Sequence, residues 1–427
     1  MAAVVLGLAV WWWLAPVETP RHAVSKSAAP SSRLAALAPF AAAPASAVTL
    51  PAPAAMLRAG EVQVCGGSWV RLDADGNPDP AQLGGALNQP AARERILATM
   101  RADSSDISRA SLLVLAMISA DDERRRRFLG FLFDCDTPEC RIAPQAVKDA
   151  DDARDALARM ALASSDPKVY ALAFNVCGGR AGGACSLLNA AHWARLDTGN
   201  AQPWMHLLRD AQERHEGAAE QEALHRIATA RRIDVGYFDL AGRIISAGLY
   251  DDSALAASYA MAVNAIGVSA AWSIPYQALT GACKGDALLD ANRFQTCAAV
   301  AETMVERSDT ILTQRIGVAI GRRVGLSDAR SDRVRAEYDC YAESTLAKTA
   351  DADPYGCGVI RRGVEQIRRH ATLTETGAVR QWAREPGRDL DAFIRKEGER
   401  RVARDAEEAA RIAATASVAS APSGSAR

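Results

Sequence analysis

From residue 82 onward the sequence is a succession of helix-length segments separated by short breaks. Apolar residues recur at helical spacing in segments such as 108–120, 169–176 and 292–307. A helix of this kind has one apolar face, which must pack on a neighbour. Breaks of about two to eight residues favour antiparallel neighbours. The pattern therefore predicts an all-α fold of antiparallel helical hairpins.

Local signals and composition agree with this prediction. Asp166 and Pro167 form a helix start signal, with Asp as the N-cap and Pro at the first helical position. Alanine, the best helix former, supplies 89 of the 427 residues. Hydrophobic residues make up 49% of the chain, which excludes a fully disordered protein. Only the segment 62–70 has a possible strand pattern.

The charge balance argues against a nucleic-acid partner. Lysine and arginine number 50, aspartate and glutamate number 51, and the net charge is -1. The chain therefore lacks the excess of positive charge that attracts a nucleic-acid phosphate backbone. The 44 arginines against 6 lysines are typical of a coding sequence from a GC-rich bacterium.

The N-terminus contains an uninterrupted apolar run over residues 2–17. This run is shorter than the ~20 residues of a comfortable membrane span, and it fits a signal-peptide core or a short signal anchor. Three tryptophans, residues 11–13, lie near its end, and Trp prefers the membrane interface. We therefore expect an apolar N-terminal helix in the membrane. A buried helix of a soluble protein is the alternative.

The segment after this run is rich in Ala, Pro and Ser and has no amphipathic period, which is typical of an extended, disordered spacer. An apolar segment followed by a spacer suggests a single-pass protein of the bacterial inner membrane with its body in the periplasm, although a cleaved signal peptide stays possible. We expect four parts: an anchor or signal peptide at 1–18, a linker at 19–57, a helical domain at 58–388, and a charged, exposed helical tail at 389–427 that ends disordered.

Nine cysteines bear on the compartment. After Cys65 the other eight form four close pairs along the chain, and none has the CxxC spacing of common zinc sites. In an oxidising compartment the simplest interpretation is four local disulfides, with Cys65 free or bonded to another chain. Reduced cysteines in the cytosol and a metal cluster are the alternatives. The predicted pairs are Cys135–Cys140, Cys177–Cys185, Cys283–Cys297 and Cys340–Cys357.

The stretch 196–217 resembles a junction of tetratricopeptide repeats, in which a short turn ends one helix pair and a W-x-x-L helix opens the next. Trp204 and Leu207 match the W-x-x-L positions, whereas Leu208 replaces a small residue and Ala211 an aromatic one. The resemblance covers about 35 residues, and no second copy follows at the 34-residue period of such repeats. It implies irregular helical pairs in an α-solenoid-like arrangement.

One local pattern could bind a metal. Oxygen-bearing side chains alternate at Asp73, Asp75, Asn77 and Asp79, which resembles the start of a calcium loop. Pro78 stands where such a loop has glycine, and Gly84 stands where it has glutamate. The alternative is a turn that leads into the first helix.

No catalytic motif stands out. The sequence contains neither HExxH nor GxSxG, and the glycine-rich segment 177–183 is not followed by GK[ST]. His215 and His225 lie ten residues apart near the same predicted helical hairpin, but neither has a metal-ligand spacing to a cysteine. We expect no catalytic residues and no cofactor. The sequence therefore favours a helical body that binds another protein, and the alternative is an envelope hydrolase that acts on wall or peptide substrates.

Overall fold

The computed structural model describes seven stretches of the chain. These are residues 60–73, 78–87, 89–131, 144–179, 182–248, 251–347 and 356–419. All of the described residues belong to one compact unit. The predicted anchor at 1–18, the predicted linker at 19–57 and the predicted pair Cys135–Cys140 lie outside the described residues.

The described part of the chain is all-α apart from one short β-hairpin, and the fold class agrees with the sequence. Seventeen α-helices are described: α1 (Pro80–Leu87), α2 (Pro90–Ala102), α3 (Asp106–Phe131), α4 (Pro144–Ala163), α5 (Pro167–Cys177), α6 (Ala190–Leu196), α7 (Gln202–Glu213), α8 (Gly217–Thr229), α9 (Asp239–Ala247), α10 (Asp252–Ala270), α11 (Tyr276–Ala282), α12 (Ala291–Arg307), α13 (Ile311–Arg323), α14 (Asp328–Ala347), α15 (Cys357–Leu373), α16 (Glu375–Ala383) and α17 (Leu390–Ala419).

The hairpin lies at the segment with the possible strand pattern. Strands β1 (Glu61–Gln63) and β2 (Trp69–Arg71) pair antiparallel, with Val62 opposite Val70. Gly66 in the turn has a φ of 96°, a conformation that residues with a side chain rarely adopt. The turn also packs tightly, because a Cβ on Gly66 would lie 3.2 Å from the Cα of Ser253. The hairpin is therefore seated against the start of α10.

Side-chain caps explain where several helices begin. Asp166 accepts a hydrogen bond from the backbone N–H of Lys168 at 2.8 Å, and Pro167 occupies the first position of α5. Gly178 ends α5 in the left-handed conformation, with a φ of 56°. Other helices are capped in the same way by Asp251 (α10), Asp290 (α12), Thr310 (α13) and Thr374 (α16).

Two large apolar cores hold the helices together. The first joins α2–α6 with α9, α10 and α15, and its fully buried side chains include Trp193, Tyr170 and Ile244. The second joins α7 and α8 with α11, α12 and α13 around Met205 and Leu224. Burial of side chains of this size contributes about 1.5–3 kcal/mol each.

Helix α10 is the one described helix long and apolar enough to cross a membrane. Inside the fold, however, 56% of its apolar window is buried, and it packs on α2, α9 and α15. Ala254, Ala257 and Ala262 are fully covered by these neighbours. Its composition is therefore also explained by its place in the core.

Two disulfides are local and join the pairs expected from the sequence. The Cα atoms of Cys177 and Cys185 are 5.5 Å apart, and those of Cys283 and Cys297 are 5.7 Å apart. The first bond links the end of α5 to the 3₁₀ turn Gly183–Leu187, and the second links the end of α11 to α12. Both Cα–Cα distances are below the roughly 7 Å that a disulfide can bridge.

The predicted pair Cys340–Cys357 is not formed. Cys357 is bonded to Cys65, with Cα atoms 4.5 Å apart, so Cys65 is not the unpaired cysteine. The physical reason is the packing of the β-hairpin, which brings Cys65 to the first residue of α15. Cys340 is a buried free thiol on α14, where it lies in a small core with Tyr341 and Trp382.

The C-terminal helix is less exposed than the sequence suggests. Helix α17 packs on α14, where Nε of Arg401 donates to both carboxylate oxygens of Asp332 at 3.0 and 3.1 Å. Glu397 is 3% exposed and accepts from Arg404 at 2.6 Å. Val402, by contrast, is 59% exposed. The first half of the predicted tail is therefore part of the folded body.

Helices α12 and α13 approach closely because Gly317 has no side chain. A Cβ on Gly317 would lie 2.5 Å from Cβ of Met304 and 3.1 Å from the backbone nitrogen of Val305. Gly317→Ala is therefore expected to lower the free energy of unfolding by about 2 kcal/mol. Gly281, in α11, is the matched control, since no atom lies within 4 Å of its added Cβ.

The control variant Gly281→Ala should raise the stability by about 0.5–1 kcal/mol, because alanine favours a helix over glycine. Urea denaturation followed by circular dichroism measures both changes. Equal effects of the two substitutions would contradict the close packing of α12 on α13.

Candidate functional site

The calcium-loop candidates are only partly described. Asp75 and Asn77 lie outside the described residues. Asp79 accepts from the backbone N–H of Gln82 at 3.4 Å and from its side-chain amide at 3.1 Å. Asp79 therefore lies at the N-cap position of α1, where its carboxylate accepts both hydrogen bonds.

The tetratricopeptide-like junction forms the hairpin of α7 and α8. Trp204 is half-buried, and the guanidinium of Arg226 lies 5.5 Å from its ring centre. Leu208 and Ala211 of α7 are fully buried beside Met205. These are the two positions at which the sequence departs from the repeat pattern.

The two buried histidines are not those that the sequence singled out. His215 and His225 are exposed. His206 lies 4.9 Å from the ring of Phe174, and burial lowers its pKa to about 3. The Nε2 atom of His370 lies 2.8 Å from the hydroxyl of Tyr341, and burial lowers its pKa to about 4. Both rings are therefore neutral at physiological pH.

A buried polar junction joins four loops between helices. Asn200 is its first cross-link, because its side-chain amide donates to the carbonyl of Asp234 at 3.1 Å and its oxygen accepts from the backbone N–H of Asp234 at 3.0 Å. The loop that contains Asp309 is joined to the loop that contains Ile233, because the backbone N–H of Asp309 donates to the carbonyl of Ile233 at 2.9 Å. The carbonyl of Asp309 in turn accepts from the backbone N–H of Glu375 at 3.0 Å.

Two carboxyl groups lie inside this junction. Asp309 accepts from the backbone N–H groups of Val235 at 2.8 Å and Gly236 at 3.0 Å. Its other oxygen is buried and has no hydrogen-bond partner among the described residues. Burial raises the pKa of Asp309 well above its usual range, and the nearby Asp234 raises it further.

Glu375 is the second of these groups. Its carboxyl accepts a hydrogen bond from the backbone N–H of Ile311 at 2.8 Å, and Ile311 is the first residue of α13. Burial raises the pKa of Glu375 to about 7, against the opposing effects of this hydrogen bond and of Arg315. Asp309 and Glu375 both accept backbone N–H groups of a neighbouring loop or helix, which indicates that they hold the loops together.

A separate feature is an open cleft of about 750 Å³ between α12, α13, α14, α16 and α17. Its floor is largely apolar and its rim is rich in arginine. The apolar lining includes Val305, Val334, Leu390 and Ile394, and the charged lining consists of Arg330, Arg333, Arg380, Arg384, Glu306 and Glu337. Four cations against two anions leave the lining with an excess of positive charge.

Two of these arginines are held in place by the protein. Arg380 donates to the backbone carbonyls of Val305 at 2.7 Å and Glu306 at 2.8 Å, near the end of α12. Arg330 pairs with Glu302 at 2.7 Å and with Glu306 at 2.5 Å. These contacts fix the guanidinium groups before any ligand arrives, which reduces the entropy lost on binding.

Arg384 is different, because it is exposed and forms no ion pair with any described residue. It follows Arg380 by four residues, at the end of α16, so both side chains project from the same helix face. The cleft can therefore bind an anionic group through pre-positioned guanidinium donors. Sequence reasoning missed it because its residues come from five helices between 291 and 419.

Comparison with known proteins finds no matching family model, no matching curated protein and no matching solved structure.

Proposed function

We propose that this protein is tethered in the bacterial inner membrane through residues 2–17 and holds a helical body in the periplasm, where the arginine-rimmed cleft binds a protein partner. The observation that carries the proposal is the cleft itself, with an apolar floor and fixed guanidinium groups at its edge. The hydrolase alternative gains no support from any described residue.

The disulfides support the periplasmic location. Three bonds are formed among the described residues, and disulfides persist in oxidising compartments such as the periplasm. The apolar run and the spacer that precede the body are the sequence features that support the tether.

We further infer that the helix pairs are arranged in the manner of an α-solenoid. The support is the order of the loop contacts. The loop at 197–201 bonds to the loop at 230–236, which bonds to 307–310, which bonds to 374–376. Loops that meet in sequence order are typical of stacked helical pairs.

The proposal can be tested by photo-crosslinking in cells of the native host. A photoreactive amino acid placed at Ala383, which lines the cleft, is expected to give a discrete protein adduct in the membrane fraction. The same amino acid at Ala219, exposed on α8, is the control and should give none. Identical adducts from both positions, or none from either, would contradict binding at the cleft.

A third sample tests the tether. Deletion of residues 2–17 should remove the adduct, because the body would no longer reach the periplasm. If the adduct persists in the soluble fraction of this variant, the proposed membrane tether is wrong, and the proposed binding of a partner at the cleft is retained.

A further inference from the structure

The charged rim of the cleft is arranged to receive carboxylates. A guanidinium has five N–H donors, and Arg380 uses its two terminal nitrogens on backbone carbonyls at 2.7 and 2.8 Å. No other hydrogen bond of Arg380 is formed with the described residues, and the neighbouring Arg384 has no ion-pair partner among them. Planar guanidinium groups match the two oxygens of a carboxylate, which makes such pairs directional as well as strong.

The floor of the cleft is suited to an apolar side chain. Val305 and Val334 belong to a small buried core, whereas Leu390 and Ile394 of α17 are half-buried and present apolar surface to the cleft. The cleft volume of about 750 Å³ falls in the range of ligand sites. Because the cleft is open, it can accept a continuous chain that enters and leaves.

The two glutamates of the lining argue against a polyphosphate ligand. Glu306 pairs with Arg330 and Glu337 pairs with Arg333, so their negative charge lies beside two of the four arginines. A nucleic-acid backbone presents phosphates at close, regular spacing and would meet these glutamates. One or two carboxylates would need only Arg380 and Arg384, which form no ion pair with any described residue.

We propose that the occupant of the cleft is an acidic segment of the protein partner, whose carboxylates bind Arg380 and Arg384 while an apolar side chain lies on Leu390 and Ile394. This inference rests on the proposed function, because it names the chemistry of the partner at the same cleft.

A direct test uses the full-length chain in detergent micelles and a fluorescent synthetic peptide. The probe is a short amphipathic peptide with Leu at helical spacing and Glu at the other positions. Fluorescence anisotropy should show saturable binding that weakens as salt is raised, since screened ion pairs contribute less. A peptide in which every Glu is replaced by Lys should not bind.

The decisive comparison is between two exposed arginines. Arg384→Glu is expected to raise the Kd by about ten-fold, mainly through a slower association rate, because a rim charge is reversed. Arg362→Glu, on α15 and outside the cleft, makes the same change in net charge and should leave the Kd unchanged. Arg384→Gln should show an intermediate loss, and thermal melts show whether each variant is folded.

The possible outcomes separate the two proposals. Equal weakening by Arg384→Glu and Arg362→Glu would mean that the peptide senses only net charge, which overturns this inference. Equal binding of the Lys peptide would overturn it as well. If the acidic peptide does not bind but the crosslink at Ala383 forms, the cleft binds a partner of another chemistry and only the acidic assignment fails.

Discussion

Replacing Cys65 and Cys357 together by alanine is expected to lower the free energy of unfolding by about 5 kcal/mol. The bond joins residues that are 292 apart in sequence and fastens the β-hairpin to α15. A bond that closes so long a loop removes much conformational entropy from the unfolded chain. Guanidinium denaturation of the oxidised protein, compared with the double variant, measures this loss.

The matched control is the double variant Cys177→Ala, Cys185→Ala. This pair is separated by 8 residues, so the same entropic argument gives a loss of about 2–3 kcal/mol. Both variants remove one disulfide and two sulfur atoms, and they differ mainly in loop length. Equal losses would contradict the loop-length account.

The helices and the local disulfides could be predicted from the sequence because the signals for them are local. The start signal at Asp166 and Pro167 marks the first turn of α5. The apolar spacing predicts a helix over 292–307, and α12 spans Ala291–Arg307. Pairing of Cys177 with Cys185 follows from a short turn between them, which needs no knowledge of the rest of the fold.

The bond between Cys65 and Cys357 could not be predicted in this way. It depends on where the hairpin turn packs, and that position is set by contacts such as Gly66 against Ser253. Proximity in sequence favours Cys340 as the partner of Cys357, but Cys340 faces the small core with Trp382. Only the tertiary packing distinguishes these two pairings.

The candidate site escaped prediction for a related reason. On a predicted helix, Arg380 and Arg384 look like ordinary solvent-exposed charges. Their spacing of four residues indicates one helix face, but the sequence does not show that α14 and α17 line the same cleft. Asp309 likewise resembles an ordinary loop residue between two helices, and its burial comes from the loop at 230–236.

Glu375→Gln is expected to flatten the dependence of stability on pH between about 4.5 and 7. Burial raises the pKa of Glu375 to about 7 in the folded protein, from an ordinary value of 4.5. As pH rises through this window, the unfolded chain releases the proton and the folded chain retains it. The unfolded state is therefore favoured, and stability that is present below pH 4.5 is lost as the pH approaches 7.

The size of this effect follows from the width of the window. Each pH unit corresponds to about 1.36 kcal/mol, so the loss attributable to Glu375 is about 3 kcal/mol at most. Asp309 acts in the same direction, because burial and Asp234 raise its pKa, and its contribution persists in the variant. The side-chain oxygen of glutamine can still accept a hydrogen bond from the backbone N–H of Ile311, so the variant retains this contact with the start of α13.

Urea denaturation across this pH range, on wild type and variant, provides the measurement. The two proteins should have similar stability below pH 4.5, and the variant should be the more stable one above pH 7. Glu399→Gln, at an exposed position on α17, is the matched control and should follow the wild type. Parallel curves for wild type and Glu375→Gln would show that the carboxyl ionises as freely in the folded protein as in the unfolded chain. In that case burial at the junction would impose no cost on the Glu375 carboxylate, and the pH dependence of stability in this region would come from Asp309.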